Sequence, residues 1–264
     1  MMQVFVMGVG IAGPGLDGWE AAQPVLAGLL EHRMAPVSRA IPSILSSAER
    51  RRSSHSARLA IMAAQDALSS GRFKGNEIAT VFASSDGDGA ITHEICEALA
   101  GAAREVSPTS FHNSVYNAPA GYWSIATRSQ LASTTVCAYD VSFAAGLIEA
   151  AAYATVERQP VMVIASDLPF PDPLHSIRPI EESFAAALLL APSATAGALM
   201  RWQLNLEPRG TVTDFPQELS DKLRNNPAAR CIPLLTRLAK GHAETVILDY
   251  SDEQDLAVHC EPGA

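Results

Sequence analysis

The sequence predicts an α/β protein in which helices are layered against a buried sheet, and three observations carry that prediction. Two near-continuous apolar runs of strand length, PVMVIASD (Pro160 to Asp167) and FAAALLLAP (Phe184 to Pro192), read as strands buried on both faces. Segments of helical periodicity lie around them, the clearest from Ser46 to Gly71. Strands interleaved with helices in this way build a layered α/β domain. At 264 residues the chain is long enough for one domain with a sizeable core.

In chain order, Met2 to Gly10 alternates Val4, Val6 and Met7 into a first strand that ends in GVGIAGPG. This string contains GxGxxG, but in a dinucleotide site the glycines open directly into a helix that holds the pyrophosphate. Here Pro14 and Gly15 follow at once, which predicts a tight turn. In the Ser46 to Gly71 helix, Ser46 and Glu49 form a capping box, Ala57, Ile61, Ala64 and Leu68 share one face, and Gly71 is the stop. Arg50, Arg51 and Arg52 then fall in the first turn, where cations oppose the helix dipole. Nearby carboxylates or an acidic partner are expected to compensate them.

Ile78 to Ser84 reads as a second strand, followed by a loop and a helix with Ile95, Cys96 and Leu99 inward. Asp86, Asp88 and Glu97 fit the first, third and twelfth positions of a calcium loop. Ala90 and Ile91 stand where that loop needs an oxygen ligand and a glycine, so no metal site is expected. Ala198 to Glu207 alternates as a more exposed strand. Pro208 to Gly241 reads as helical with proline breaks, and ETVILDY and DLAVHC as late strands.

A formal charge of -9 argues against a nucleic-acid surface, which leans on clustered Lys and Arg. Every apolar run is shorter than the roughly 20 residues a bilayer span needs, and the first residues lack a signal-peptide charge pattern. The expectation is a cytoplasmic protein with no membrane insertion. Cys96, Cys137, Cys231 and Cys260 are widely spaced and form no CxxC pair, so they read as reduced thiols rather than zinc ligands or a disulfide framework.

The stretch STTVCAYDVSFAAGLIEAA (Ser133 to Ala151) puts Cys137 at a strand-to-helix corner. A helix N-terminus favours the thiolate. Asp140 opposes it, because a nearby carboxylate disfavours a second negative charge, and Asp140 also suits the cap of the following helix. A cysteine on a buried strand end more often acts as a small hydrophobe.

Five ordered motifs, ASSDGDG, ICEAL, SPTSFHNSVYNAPAGYW, CAYDVSFAAGLIEA and RPIEESFAAALLLAP, together resemble the N-terminal half of β-ketoacyl synthases. More narrowly, they resemble the short ketosynthase-like chain length factors of aryl polyene and xanthomonadin-type pigment clusters. The resemblance implies a thiolase-like fold, a layered α/β/α arrangement with a mixed central sheet. It also implies a single domain over residues 1–264, with 1–192 as the N-terminal ketosynthase half and 193–264 as a short C-terminal extension. In a full ketosynthase the second half brings the catalytic histidines in HGTGT and GFGG contexts. Neither string occurs here, and His242 and His259 lack the matching context. Ketosynthases usually carry glycine three residues after the cysteine, where this chain has Asp140.

By this resemblance Cys137 occupies the nucleophile position as a vestige, and no catalytic residue, cofactor or metal is expected. The implied partners are a β-ketoacyl synthase, as a heterodimer, and an acyl carrier protein with its bound chain. Ser133, Thr134, Thr135 and Val136 would pair with the equivalent strand of the partner, with His112, Asn113 and Asn117 also at the interface. Asn113 and Asn117 would in addition hold the loop and cap the helix that follows. Phe111, Tyr116 and Tyr122 would end the acyl tunnel; core packing is the competing reading for Phe111, Tyr122 and Trp123. Arg50, Arg51 and Arg52 would dock the carrier protein. Two other functions fit the same residues: an acyl-transfer enzyme using Cys137, with His112 or a partner's residue as base, and a scaffold that only stabilises the ketosynthase.

Overall fold

The glycine-rich segment after Val6 continues as strand, so β1 spans Met2–Gly13 and the tight turn falls at Pro14 and Gly15, with Gly15 at φ 69°. Glycine is needed here for close approach. A Cβ at Gly8 or Gly10 would run into the carbonyl oxygens of Ala67 and Ala63 on the helix packed over β1. A register shift between Val6 and Gly8 leaves Met7 as an extra residue. Met7 therefore stays on the face of Phe5, while Val9 and Ile11 return to the face of Val4 and Val6.

The computed structural model describes residues 1–37, 40–69, 72–194 and 196–263. The other strands are β2 (Leu16–Asp17), β3 (Ala79–Ala83), β4 (Ser133–Val136), β5 (Val161–Asp167), β6 (Phe184–Ala191), β7 (Met200–Pro208), β8 (Glu244–Asp249) and β9 (Gln254–Pro262). The helices are α1 (Trp19–Leu26), α2 (Ser47–Arg52), α3 (His55–Ala67), α4 (Gly89–Ala100), α5 (Pro108–Asn113), α6 (Ala118–Thr127), α7 (Ser142–Glu157), α8 (Leu174–Ile177), α9 (Asp221–Arg224) and α10 (Ile232–Lys240). One sheet runs in the order β4-β3-β5-β6-β1-β7-β9-β8, with β2 as a hairpin partner of β1. β4, β3 and β5 are parallel and the remaining pairs antiparallel, which makes the sheet mixed.

The two predicted core strands, β5 and β6, are buried along their whole length and pair with each other. One face of the sheet packs against α3 and α6, the other against α1, α7 and α10. The expected layering of helices on both sides of a mixed sheet is therefore present. The late strands are present too. β7 pairs with β1 and β9 with β7, so residues after 193 extend the same sheet. Pro227 and Pro233 sit at the starts of a 3-10 turn (Pro227–Cys231) and of α10, where a missing N–H costs nothing.

Two expectations are corrected. The single helix from Ser46 is two: the capping box of Ser46 and Glu49 opens α2, Ser53 turns extended, and Ser54 caps α3 by accepting the Ala57 N–H. The arginine triplet consequently lies in the last turn of α2, where the dipole favours cations. Gly71, the expected stop, lies outside the described residues. In α4, Ile95 is half-buried but Cys96 and Leu99 are exposed, and no residue of the helix is buried. Among the described residues no helix is long and apolar enough to cross a membrane.

Candidate functional site

β4 ends at Val136 and Cys137 follows it on the surface, exposed rather than buried at a strand end. The thiol does not sit on a helix N-terminus. A 3-10 turn (Tyr139–Val141) intervenes before α7, and Tyr139 takes the left-handed conformation at φ 52°. Ser142 fastens this corner: its Oγ accepts the Ala138 N–H at 2.9 Å and lies 3.0 Å from the Ser84 carbonyl.

Asp140 does not cap α7, whose N-cap position is Val141 without a side-chain bond. Its carboxylate is held between two guanidinium groups instead, Arg178 at 2.8 Å and Arg230 at 3.0 Å. Arg178 stacks on the Tyr139 ring at 3.7 Å and stands 3.9 Å from Asp86. Arg230 continues to Asp249 at 3.4 Å, and Asp249 to Arg209 at 3.5 Å. An alternating ladder of charge thus ties the turn after Cys137 to the C-terminal strands. Asp140 is spent on its arginines, so it is not the carboxylate that opposes the thiolate.

Burial of its surroundings, then the carboxylates of Asp167 and Asp86, push the Cys137 thiol above its ordinary value. Asp167 is the residue the sequence reading missed. It lies fully buried at the end of β5; its Oδ1 accepts the Ser84 hydroxyl at 3.1 Å and the Ser85 N–H at 2.7 Å, and its Oδ2 has no partner. Burial pushes its carboxyl up to about 7. Burial also raises Asp86, against the pull of Arg178. The signal in the sequence was a carboxylate closing an otherwise apolar strand. Among the described residues no hydrogen bond joins Cys137 to a histidine, and His112 instead meets the Tyr122 ring edge-on at 6.0 Å. A thiol raised in pKa by burial and by neighbouring carboxylates is poorly set for nucleophilic attack.

A second surface lies on α5, α6 and the turn between them. Phe111, Val115, Tyr116 and Ile125 are between 52% and 69% exposed there, a proportion unusual for neighbouring large apolar side chains. Phe111, Val115, Tyr122 and Ile125 help line a groove of about 580 Å³. Tyr122 and Trp123 are buried. Asn113 is buried as well; its Nδ2 donates to the carbonyls of Arg52 at 2.8 Å and Thr109 at 2.9 Å, which ties α5 to α2 and turns the side chain away from this surface. His112 and Asn117 are exposed; Asn117 stands at the N-cap of α6 but makes no capping bond. Pro119 occupies the first turn of α6, where its missing N–H costs nothing.

β4 ends the sheet and pairs on one side with β3, with Ser133 and Thr80 hydroxyls 2.8 Å apart. Ser133 and Thr134 are exposed, Thr135 and Val136 half-buried. Arg50 donates to the Leu45 carbonyl at 3.1 Å, and with Arg51, His55 and Arg58 it lines a basic concavity of about 500 Å³. Arg52 is exposed beside it.

A mixed sheet layered by helices, with a cysteine between an edge strand and a long buried helix, defines a thiolase-like ketosynthase fold. The chain belongs to the β-ketoacyl synthase family: residues 19–251 match its N-terminal domain. Its fold is similar to that of a chain from the ketosynthase (ApeO) in complex with its chain length factor (ApeC) from Xenorhabdus doucetiae, at 20% identity and a TM-score of 0.74, over 98% of this chain and 100% of that one. A chain of the ishigamide ketosynthase/chain length factor matches at 13% identity and a TM-score of 0.74, over the full length of both. A chain of the AntDE:AntF assembly, a type II acyl-carrier protein in complex with its ketosynthase, matches at 14% identity and a TM-score of 0.73, over 99% of both. No curated protein matches the sequence.

Proposed function

We propose that this chain is a non-catalytic chain length factor: a subunit that pairs with a β-ketoacyl synthase and limits the acyl or polyene chain built on the synthase's cysteine. The observation that carries the reading is the coincidence of a bare edge strand, β4, with the exposed apolar side chains of α5 and α6. A free edge leaves N–H and C=O groups open, and a partner strand added to Ser133–Val136 would satisfy them while covering the neighbouring apolar surface. Among the described residues no histidine is hydrogen-bonded to Cys137 and its pKa is raised, which fits a subunit that contributes shape rather than chemistry.

In this reading Phe111 and Tyr116 project into the shared tunnel, with Tyr122 packed behind them and His112 and Asn117 at the rim. Overfilling such a tunnel by one methylene costs about 1 to 3 kcal/mol, enough to bias termination about tenfold or more. The basic concavity at Arg50 to Arg52 is the proposed dock for an acidic acyl carrier protein. The product class is an aryl polyene or xanthomonadin-type pigment, on the strength of the five sequence motifs. The test is co-expression with a candidate partner β-ketoacyl synthase and a size series at Phe111 and Tyr116. A one-to-one complex whose product length shifts with side-chain size supports the reading. A one-to-one complex with unchanged lengths leaves a scaffold, and a homodimer acylated at Cys137 leaves an enzyme.

A further inference from the structure

The loop between β3 and α4, residues 84–88, joins the Cys137 corner to the α5–α6 surface. Its base is fixed to the buried end of β5: the Ser84 hydroxyl donates to Asp167 Oδ1 at 3.1 Å, and the Ser85 N–H reaches the same oxygen at 2.7 Å. The Ser84 Oγ also accepts the Gly87 N–H at 3.1 Å, so one side chain ties the top of the loop to its base. Asp88 then caps α4 by accepting the Ile91 N–H at 3.1 Å. With both ends held, Gly87 takes φ 83°, a conformation that side-chain-bearing residues rarely adopt.

The same loop stands against two aromatic residues. A Cβ at Gly89 would run into the Phe170 ring, so no side chain fits there without moving it. A Cβ at Gly87 would lie 3.4 Å from the Tyr116 Cβ and 3.5 Å from its Cα, so a methyl group just fits and a longer side chain displaces the tyrosine. Ser84 and Gly87 from the loop, Val115 and Tyr116 from the turn between α5 and α6, and Thr135 of β4 help line a void of only about 20 Å³. That is room for about one water. Loop, turn and edge strand are therefore in near contact, and parts packed this closely transmit a displacement rather than absorb it.

We infer that Gly87 and Ser84 are positioning residues for Tyr116: the loop sets how far the tyrosine stands into the shared tunnel, and so the length at which the acyl chain stops. This role rests on the subunit reading above, in which Tyr116 lines that tunnel. Tyr116 is 55% exposed, with the Gly87 backbone behind its Cα and Cβ. Bulk at position 87 pushes the tyrosine outward and shortens the tunnel. Loss of the Ser84 tether frees Gly87, lets the tyrosine withdraw and lengthens it.

The test reads product lengths from the purified one-to-one complex with the β-ketoacyl synthase. Asn tolerates positive φ better than most side chains, so Gly87→Asn adds bulk against Tyr116 while keeping the backbone. It should raise the ratio of shorter to longer product about tenfold, and Ser84→Ala should move that ratio about threefold the other way. In a Tyr116→Ala background neither change should shift the ratio further, because no ring is left to move; a general loosening of the fold would act in both backgrounds. A shift of equal size in that background overturns the inference. Unchanged lengths in both variants, where the Tyr116 size series does shift them, overturn it too and leave the subunit reading standing; a size series without effect overturns both. If Gly87→Asn fails to fold, Ser84→Ala decides by the same outcomes.

Discussion

The corner around Cys137 and the surface of α5 and α6 belong to the same sheet edge, yet their chemistry is opposite. At the corner polar groups are largely engaged with one another: Asp140 lies between Arg178 and Arg230, Asp167 Oδ1 accepts from Ser84 and Ser85 while its Oδ2 is left unpaired, and Ser142 holds the turn. On α5 and α6 large apolar side chains stand in solvent without a covering element. A site evolved for nucleophilic chemistry would keep a nucleophile of lowered pKa at the corner and bury its apolar neighbours. Here the thiolate is disfavoured and the apolar surface is uncovered, which is what the proposed reading of a subunit that supplies shape and association calls for.

The largest expected effect tests the quiet corner. Asp167 has its pKa raised from the ordinary 3.8 to about 7, so the folded state holds a proton that the unfolded state has released. Stability contributed by that proton is full below pH 3.8, falls as pH rises through the window, and is gone above about 7. The total is about 4 kcal/mol. Asp167→Asn keeps an acceptor for Ser84 and Ser85 and cannot ionise. Urea unfolding from pH 4 to 8 should show wild type losing stability relative to the variant as pH rises. Parallel profiles would mean that Asp167 is ionised throughout.

The unfinished surface gives the next largest effect. A Phe111→Asp, Ile125→Asp double variant should weaken association with the ketosynthase by about 2 to 4 kcal/mol, the range of interface hot spots. Both side chains are mostly exposed in the isolated chain, so its Tm should stay near wild type. Purification through a tag on this chain reads the first quantity and calorimetry the second. A large drop in Tm with association intact would turn the comparison around, making those side chains part of the fold.

Below both lies the effect expected at Asp140. Its removal leaves Arg178 and Arg230 without their shared carboxylate, but the site is 37% exposed and solvent screens the loss. Asp140→Ala should cost about 1 to 2 kcal/mol, diminished in high salt. A double-mutant cycle with Arg178→Met isolates the pair. Additive effects would show that the ladder does not fix the corner.

Much of this contrast was legible before the fold was known, and the parts that were not share one cause. β5 and β6 were readable because burial on both faces leaves an apolar run, a local property. The corner was readable because strand, cysteine and helix are contiguous. The break between α2 and α3 was not, because Ser53 and Ser54 suit a helix interior less than a cap but do not forbid it, and the packing of α3 on Gly8 and Gly10 joins residues far apart in the sequence. The inward reading of Cys96 and Leu99 failed because periodicity identifies an apolar face without saying whether its cover lies in the same chain. Asp140 was misread as a cap because its partners, Arg178 and Arg230, are distant in sequence.

The smallest expected effect is the most discriminating, because the two regions predict opposite results for it. If the α5–α6 surface is the working part, Cys137→Ala changes neither the complex nor the turnover of the partner ketosynthase by more than about twofold, since a subunit that supplies shape loses nothing with one exposed sulfur. The thiol itself should react slowly with iodoacetamide at neutral pH and accelerate only above its ordinary value of 9.0, because burial, Asp167 and Asp86 all disfavour the thiolate. In Asp167→Asn one of those carboxylates is gone, so the alkylation profile should move toward lower pH while turnover stays constant. Loss of turnover on Cys137→Ala, or fast alkylation at pH 7 in the assembled complex, would mean that the partner completes the corner. The enzyme reading would then replace that of a subunit that supplies only shape.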